Sequence, residues 1–331
     1  MTGMPLVLRR SEVSALLPMS EAIDLARSAF LALGCGQAEL PPRVATQAPR
    51  NRGTHLSMPC AVQTDAVDVL SVKLVTVFKD NAQTAMPTTM GTLLLHDPRT
   101  GALLAIMDAE ALTAIRTGAA SALAADLLAP AEADTLGVIG AGGQAGAQIE
   151  GMLQIRPIRQ ILIHSRTPDR ALKLAEEVQD KYGVSARSVE GAQEAVEYSR
   201  LIVCATNSQT PIVQGEWLWP GTHISAIGAF RADMAELDAG AVGRCRVFVD
   251  RLASALAGAG DLIQAEAAGK LDWNDVVELG DLVAGNVAFE RRADDVTLFK
   301  SVGTAVQDAF VADHVYRKAL SQGVGTMVEM D

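Results

Sequence analysis

The sequence has few aromatic residues and few basic ones. Aromatic residues make up 4% of the 331 positions. A core of small aliphatic side chains favours helices packed closely on a parallel sheet over an aromatic-rich sandwich. Lys and Arg number 28, against 39 Asp and Glu, so the formal net charge is −11. Without a basic run, the chain lacks the electrostatic footprint that nucleic acid or an anionic membrane surface requires. We expect neither partner.

Cysteine and histidine are sparse and scattered, which excludes the familiar metal-ligand patterns. The four cysteines form no CxxC pair, and the five histidines form no HxxxH pair. We therefore expect no metal site and reduced thiols. The N-terminus has no positive segment followed by an apolar stretch, and no run of about 18 apolar residues occurs. From these absences we expect a cytoplasmic protein without a membrane-spanning helix.

The first 130 residues mix helical and strand patterns. Apolar residues recur at helical spacing over 11–34, and an Ala-rich stretch over 109–128 predicts a longer helix. Residues 67–78 form an apolar run that is typical of a strand covered on both faces. Two short apolar runs, 91–96 and 102–107, flank the turn sequence Asp-Pro-Arg-Thr-Gly, which predicts a hairpin. This part of the chain is therefore expected to be α+β.

Strands and helices alternate in the central part of the chain. Short buried strands are expected at 136–139, 161–164, 184–188, 201–205, 223–227 and 247–249, with helices between the first four. This rhythm specifies a doubly wound parallel sheet with right-handed crossovers. The tail returns to a strand at 296–299 and a final helix over about 303–320. We predict an α/β fold with a central domain at 131–304 and a discontinuous first domain at 1–130 and 305–331.

A glycine-rich turn follows the first strand of the central domain. Gly140-x-Gly142-x-x-Ala145 has a strand before it, a helix after it and a second strand about 20 residues on, which is the setting of a Rossmann dinucleotide site. Gly140 would make the tight turn, Gly142 would let the backbone approach a pyrophosphate, and Ala145 would allow close helix–strand packing. The helix N-terminus would supply amide donors. The alternative is a glycine-rich turn without a ligand.

The end of the second strand sets the choice of cofactor. NAD enzymes usually place an acid there for the ribose 2′-hydroxyl, but this chain has Ser165, Arg166 and Thr167, followed by Arg170. Arg and hydroxyl side chains suit a 2′-phosphate, so we expect NADP(H), with NAD(H) possible. The alternative is that the two arginines are a solvated surface pair. Asp169 is expected to cap the next helix.

Three cations stand among apolar residues. Lys73 is the only charge within the apolar strand, Arg116 is the only charge in the middle of the Ala-rich helix, and Arg43 follows a Pro pair. Burial of a lone cation is costly, so each must meet an anion or lose its charge. A buried Arg suits a carboxylate ligand, because its fork matches two oxygens. The alternative for each is a structural salt bridge with one of the chain's own acids.

With these features in place, the chain resembles the ornithine cyclodeaminase/mu-crystallin family over nearly its whole length. The segments that carry the resemblance occur in the family's order. They are Ser71–Val75, Pro87-Thr88, Leu112–Ser121, the glycine fingerprint, Ala235–Asp238, Leu279–Leu282 and Phe299–Ala305. The resemblance implies a homodimer in which the split first domain forms both the substrate pocket and the dimer interface.

The resemblance also implies site residues. Lys73 and Arg116, as catalytic residues, would hold the substrate carboxylate with Arg43 and position the reacting carbon–nitrogen bond. The substrate contacts are expected at Arg43, Met58, Lys73, Thr88, Arg116, Phe230, Ser301 and Gly303. Together with the fingerprint and strand-end residues, the expected cofactor contacts are Thr117, Gly140, Gly142, Gly143, Gln144, Ala145, Ser165, Arg166, Thr167, Arg170, Ala205, Thr206, Asn207, Gly228, Ala229, Phe230, Ser301 and Val302. A Met at position 58 could equally be core packing.

One departure from the family's pattern bears on the reaction. Ornithine cyclodeaminases carry an Asp two residues after the Gly of the segment before Glu-Leu-Asp, whereas this chain has Phe230 after Gly228. Phe cannot accept a proton, so deaminative cyclisation loses its acid/base group. Asp233 stands three residues further on. The variant resembles the branch of the family that reduces cyclic ketimines with NADPH, giving L-proline or L-pipecolate.

Other functions stay open at this stage. Within the family, ornithine cyclodeamination or the amination of a keto acid such as pyruvate are alternatives. From a different class, the chain could be a nucleotide-bound binding protein, as mu-crystallin illustrates, although such a protein would not need a carboxylate clamp. Lys73 could bind the carboxylate, relay a proton to the nitrogen or form a Schiff base. We favour carboxylate binding, because a cation beside an iminium repels it unless the carboxylate screens both.

Overall fold

The structure, a computed structural model, describes residues 4–329 apart from the side chain of Ala82. The chain forms two compact units: unit 1 is Met1–Arg116 with Thr304–Asp331, and unit 2 is Thr117–Gly303. The division falls inside the Ala-rich helix, whereas the sequence placed the boundary after its end, at 130/131. That helix is apolar on nearly all sides, so its pattern carries no sign of where one unit gives way to the next.

The elements follow one another in three stretches. Up to residue 128 they are β1 Leu6–Leu8, α1 Arg10–Leu16, α2 Met19–Gly34, β2 Ala38–Glu39, β3 Val44–Ala48, β4 Gly53–Gln63, β5 Asp68–Phe78, β6 Thr89–His96, β7 Leu103–Asp108 and α3 Ala109–Leu128. The central elements are β8 Thr135–Ile139, α4 Ala145–Ile155, β9 Gln160–His164, α5 Pro168–Tyr182, β10 Ser185–Ser188, α6 Ala192–Glu197, β11 Leu201–Cys204, β12 His223–Ala226, α7 Ala239–Val242, β13 Cys245–Val249, α8 Leu252–Gly258, α9 Gly260–Ala267, β14 Val277–Glu278, α10 Leu279–Ala284 and β15 Val296–Lys300. The last are α11 Ala305–Gln322 and β16 Thr326–Met327.

Unit 1 is built on one mixed sheet. Its strand order is β16-β1-β7-β6-β5-β4-β2, and β3 pairs with β4. The neighbours from β4 to β7 are antiparallel, and β1 runs parallel to β7. Helix α11 packs on β4 and β5 and against α2. The sheet therefore has a face covered by α11, and side chains that point to this face are buried.

Sequence patterns located several of these elements and misjudged two. The strand at β5, the β6–β7 hairpin and helix α3 are confirmed. The single helix expected over 11–34 is wrong, because α1 ends before Pro18 and α2 begins after it. A residue that precedes proline is driven out of the α region, and Leu17 has φ −124° and ψ 78°. Strand β4 was not predicted, since polar residues and a proline interrupt its apolar pattern.

Helix α3 is long and apolar enough to cross a membrane by length and composition, with a mean hydropathy of 1.2. The sequence expectation of no such segment was therefore too simple. However, 67% of the relevant window is buried inside the protein, which is the behaviour of a core helix.

Unit 2 contains the predicted doubly wound sheet, which is parallel throughout. Its strand order is β10-β9-β8-β11-β12-β15-β13-β14, and the order reverses between β8 and β11. Hydrophobic cores lie on both faces: in β9, Ile161 and Ile163 join one core and Leu162 joins the other. Burial on both faces explains why these strands read as unbroken apolar runs. Ligands of such sheets bind beyond the carboxyl ends of the strands where the order reverses.

Candidate active site

Lys73 is placed in unit 1 by the alternation of strand β5. Val69, Ser71 and Lys73 share the buried face of that strand, and the side chain of Lys73 is only 2% exposed. Since successive residues of a strand point to opposite faces, a cation at position 73 must enter the core beneath α11. The residues it meets there decide whether the charge can persist.

Asp308, on the first turn of α11, is the carboxylate that Lys73 meets. Lys73 Nζ lies 2.7 Å from Asp308 Oδ2, and Arg116 Nε donates to Asp308 Oδ1 at 3.0 Å. Arg116 Nη1 also donates to Gln307 Oε1 at 3.0 Å. Two of the three flagged cations thus share one buried carboxylate. With both cations charged, the trio carries a net positive charge.

Asp308 is a site residue that the sequence reasoning missed. It stands in a stretch of α11 that is buried without interruption from Ala305 to Asp313. The criterion that singled out Lys73, a charge inside an apolar run, applies equally to this aspartate. An aspartate does not suggest a carboxylate clamp by itself, because its role here is to pair with the two cations.

The pKa of Lys73 is set by opposing effects of its surroundings. Burial lowers the pKa of Lys73, Asp308 opposes this, and the nearby charges of Arg116 and Arg43 add to the lowering, so that together they bring the pKa to about 8. Burial and the charge of Asp308 raise the pKa of the Cys60 thiol to about 12, so that thiol stays protonated. The cluster therefore contains one group, Lys73, that changes charge near neutral pH.

The remaining substrate-side residues lie around this cluster in different ways. Arg43 is half-buried directly before β3, and its charge is felt at Lys73. Met58 stands opposite Lys73 in the β4–β5 ladder and is buried. Thr88 is exposed, one residue before β6, and its carbonyl accepts a hydrogen bond from Phe78 N at 2.8 Å. The contacts expected for Met58 and Thr88 with substrate stay predictions.

The glycine fingerprint forms the turn between β8 and α4 in unit 2. Gly140 has φ 108°, and a Cβ there would lie 2.6 Å from the carbonyl oxygen of Ala205, so only glycine fits. Around Gly142 and Gly143 a Cβ would meet nothing within 4 Å. Gln144 occupies the N-cap position of α4, but its side chain makes no capping hydrogen bond to the backbone amides of the first turn. The open turn and the uncapped helix fit a dinucleotide pyrophosphate.

The end of strand β9 carries no acid. Ser165 Oγ accepts a hydrogen bond from Thr167 N at 3.3 Å, and the side chains of Arg166, Thr167 and Arg170 are exposed. The expectation that Asp169 caps α5 is wrong. Thr167 occupies the cap position and Pro168 the first turn, a place where proline is favoured.

A buried carboxylate joins the loops that follow β11 and β12. Glu236 accepts hydrogen bonds from Thr206 N at 2.6 Å and Thr206 Oγ1 at 2.9 Å, and from Gly228 N at 2.7 Å and Ala229 N at 3.1 Å. A Cβ on Gly228 would lie 2.0 Å from the Thr206 carbonyl oxygen, so the two loops touch there. Burial raises the pKa of Glu236.

Lys300 and Asp261 complete this arrangement. Lys300 Nζ lies 2.6 Å from Asp261 Oδ2 and 3.9 Å from Glu236 Oε2, with all three side chains fully buried. Asp261 Oδ1 accepts from the backbone of Glu236 and of Leu237. The sequence motifs contained Glu236 and Lys300 without indicating that they meet, and Asp261 stands in none of the motifs.

The loop after β15 is held by Asp250, which directly follows β13. Asp250 Oδ2 accepts from Ser301 Oγ at 2.8 Å, Val302 N at 3.1 Å and Gly303 N at 2.7 Å, and Oδ1 accepts from Arg251 N at 2.8 Å. Asp250 is fully buried and was not predicted.

The expected cofactor residues of unit 2 thus gather mostly at one edge of the sheet. The loops after β8, β9, β11, β12 and β15 all leave the carboxyl ends of parallel strands, where nucleotide sites of such sheets lie. In these loops Asn207 is exposed and Phe230 is 38% exposed. Thr117 is not in these loops but on helix α3, where it is buried.

Comparisons with known proteins extend over nearly the whole chain. Residues 4–323 match the sequence profile of the ornithine cyclodeaminase/mu-crystallin family. The Δ1-pyrroline-2-carboxylate reductase of Bacillus cereus (strain ZK / E33L) is 35% identical over 326 residues, covering 98% of this chain and 99% of the relative. The structure of Thermococcus litoralis Δ1-pyrroline-2-carboxylate reductase in complex with NADH and L-proline has a TM-score of 0.94 at 38% identity, covering 98% of this chain and 100% of that chain. An archaeal alanine dehydrogenase dimer with bound NAD gives a TM-score of 0.92 at 32% identity, with coverages of 99% and 100%.

Proposed function

Because this chain belongs to the ornithine cyclodeaminase/mu-crystallin family, we propose that it reduces the C=N bond of a cyclic ketimine carboxylate with a reduced nicotinamide nucleotide. The proposed substrates are Δ1-pyrroline-2-carboxylate and its six-membered homologue Δ1-piperideine-2-carboxylate, and the products are L-proline and L-pipecolate. The relatives named as Δ1-pyrroline-2-carboxylate reductases support this choice of substrate.

The observation that carries the proposal is the residue at position 230, in the loop after β12. Phe230 stands where the family's cyclodeaminases have an aspartate. The nearest acid in that loop, Asp233, accepts a hydrogen bond from Arg231 Nε at 2.8 Å. Without a proton acceptor at position 230, ring closure with loss of ammonia has no acid/base group. A ring that already contains its C=N bond needs none for that step.

The substrate carboxylate is assigned to the positive cluster of unit 1. Arg116 and Lys73 are desolvated and share a single carboxylate, Asp308, so a second carboxylate brings the cluster close to neutrality. Arg43, whose charge acts on Lys73, adds to the attraction. The bound carboxylate would fix the adjacent C2 of the imine, and the reduced nicotinamide, when bound, would supply the hydride for C2.

The nucleotide is assigned to unit 2, with NADPH preferred over NADH. The uncapped N-terminus of α4 suits the pyrophosphate, while Glu236 and Asp250 hold the loops expected to border the nicotinamide. The preference rests on the end of β9, where Arg166 and two hydroxyl side chains stand and no acid does. The structure of the Thermococcus relative contains NADH, so the preference of this chain is tested by comparing kcat/KM for NADPH and NADH.

The assembly and the location are further proposals. The alanine dehydrogenase neighbour is a dimer, which supports a homodimer for this chain. The cytoplasmic location expected from the sequence stays a prediction.

The decisive experiment is an absorbance assay of reduced-nucleotide oxidation with Δ1-pyrroline-2-carboxylate, run with NADPH and with NADH. L-ornithine with NAD, and pyruvate with ammonia and NADH, run beside it. Fast oxidation with the cyclic imine and no ornithine turnover is expected. Ornithine turnover with ammonia release, or faster amination of pyruvate, would replace the proposal by cyclodeamination or by alanine dehydrogenation. Tight NADPH binding without any turnover would indicate a binding protein.

A further inference from the structure

We propose that Asp308 is a positioning residue for the reduction: its carboxylate keeps Lys73 cationic and orients Arg116, so that both can act on the substrate. This inference rests on the proposed function, because it concerns the same carboxylate site. It adds a residue to which neither the sequence motifs nor the family resemblance gave a role.

The carboxylate of Asp308 contacts both Lys73 and Arg116. The oxygens of Asp308 are divided between them, with Oδ2 beside Lys73 Nζ at 2.7 Å and Oδ1 accepting from Arg116 Nε at 3.0 Å. Gln307, the preceding residue of α11, binds Arg116 Nη1 at 3.0 Å. Two consecutive residues of one helix therefore fix the plane of the guanidinium. Since Asp308 is 1% exposed, water cannot substitute for it.

The electrostatics make Asp308 the group that sustains the charge of Lys73. The groups around Lys73 come from several elements: Asp308 on α11, Arg116 on α3, Arg43 before β3 and Cys60 on β4. Of these, only Asp308 stabilises the ammonium, since Cys60 stays a neutral thiol and both arginines oppose it. The hydroxyl of Thr113, 3.5 Å from Nζ, does not titrate in this range.

A cationic Lys73 is needed both for binding the substrate carboxylate and for donating a proton, the two roles that fit a substrate which already contains its own imine. If it contacts the substrate carboxylate, the ammonium supplies the attraction. If it donates a proton, C2 receives the hydride, the C=N π pair becomes the lone pair of nitrogen, and nitrogen takes the proton from Nζ. In both cases the reaction slows as Lys73 loses its proton. Burial and the two arginines, opposed by Asp308, place that loss near pH 8.

The test is the pH dependence of kcat/KM for Asp308→Asn, which keeps the shape of the side chain and removes its charge. The wild-type protein is expected to lose activity as the pH rises through about 8, the pKa of Lys73. In Asp308→Asn this alkaline limb should move down by roughly 1–3 pH units, the usual effect of an opposite charge in direct contact. Asp313→Asn is the matched control, because Asp313 lies on the same helix, is buried and pairs with Arg317 at 2.9 Å. Its limb should stay in place.

Two further variants keep the inference refutable if Asp308→Asn does not fold. Asp308→Glu retains the charge and should keep its limb near the wild-type position. In Lys73→Arg the guanidinium does not titrate, so the limb should vanish. An unmoved limb in Asp308→Asn, higher activity in the Asn variant than in the Glu variant, or a persisting limb in Lys73→Arg would each overturn the inference.

A binding measurement separates this inference from the proposed function. Calorimetric titration of the NADPH-saturated protein with pyrrole-2-carboxylate reports the carboxylate site without turnover. If cyclic imines are not reduced but the mimic binds with the same pH dependence, the proposed reaction fails and the role of Asp308 stands. If imines are reduced while Asp308→Asn binds and reduces with the wild-type pH dependence, the reaction stands and the role of Asp308 fails.

Discussion

Asp250→Asn should destabilise unit 2 far more than an ordinary exchange of acid for amide. The carboxylate accepts hydrogen bonds through Oδ2 from the Ser301–Gly303 segment and through Oδ1 from Arg251 N. An Asn side chain can turn its oxygen toward the three donors, but its amino group then faces the Arg251 N–H. This part-buried donor loses its partner, at a cost of about 1–3 kcal/mol.

The three retained bonds also weaken, because the acceptor is no longer charged. Hydrogen bonds to charged groups contribute about 1 kcal/mol more than neutral ones, so the three lose about 3 kcal/mol together. The free energy of unfolding should therefore fall by about 4–6 kcal/mol. Asp272→Asn is the control, since Asp272 is exposed and accepts from Asn274 N, where water can replace the bond. Its expected loss is at most about 1 kcal/mol.

Tryptophan fluorescence in urea measures this loss in the relevant unit. All three tryptophans, Trp217, Trp219 and Trp273, lie in unit 2, so the signal follows the unfolding of that unit. Coincidence with the far-ultraviolet circular dichroism transition would show whether both units unfold together. The Asn variant should also bind NADPH more weakly, because the loop it loosens is expected to border the nicotinamide. A loss no larger than that of the control would refute the argument that Asp250 holds this loop.

Three other perturbations have expected outcomes. Arg116→Ala should raise the KM for the imino acid strongly and leave NADPH affinity, measured by fluorescence titration, near normal. An equally large loss of NADPH affinity would show that the assignment of Arg116 to the substrate site is wrong. Arg166→Asp should shift the ratio of kcat/KM values from NADPH toward NADH, and an unchanged ratio would mean that the 2′-phosphate is read elsewhere. Burial lowers the pKa of His223 to about 3 from its usual 6.5, so the unfolded chain binds its proton first and stability falls as the pH drops from about 6.5 toward 3. The slope from this group is at most about 1.4 kcal/mol per pH unit, and His223→Gln should remove it from the pH dependence of urea unfolding.

The sequence predicted the parts of the fold that depend on local pattern. Apolar strands alternating with helices gave the doubly wound sheet, and Gly140 with its positive φ gave the turn before α4. The break at Pro18 was missed although its cause is local, because the apolar periodicity on both sides continues across the proline. Hydrophobic periodicity is a sum over many residues, so a single residue that cannot be helical hardly changes it.

The site was predictable where one residue contradicts its surroundings, and not where partners come from distant segments. Lys73 and Arg116 each stood out as a charge in an apolar run. Asp308 is 192 positions from Arg116, and no spacing rule connects them. The same holds for Asp250, which binds a segment 51–53 positions later. Such pairs exist only once the topology brings α11 over β5, or β13 beside β15.

The two buried charge clusters differ in sign, and the difference supports the proposed carboxylate site in unit 1. In unit 1 two cations, Lys73 and Arg116, share one carboxylate. In unit 2 two carboxylates, Glu236 and Asp261, share one cation, Lys300, and they are further satisfied by backbone N–H groups. The second cluster is complete in itself, because hydrogen bonds from the chain disperse its excess negative charge. The first retains positive charge that a bound carboxylate can neutralise. A carboxylate ligand should therefore stabilise unit 1, and the cluster of unit 2 should not respond to it.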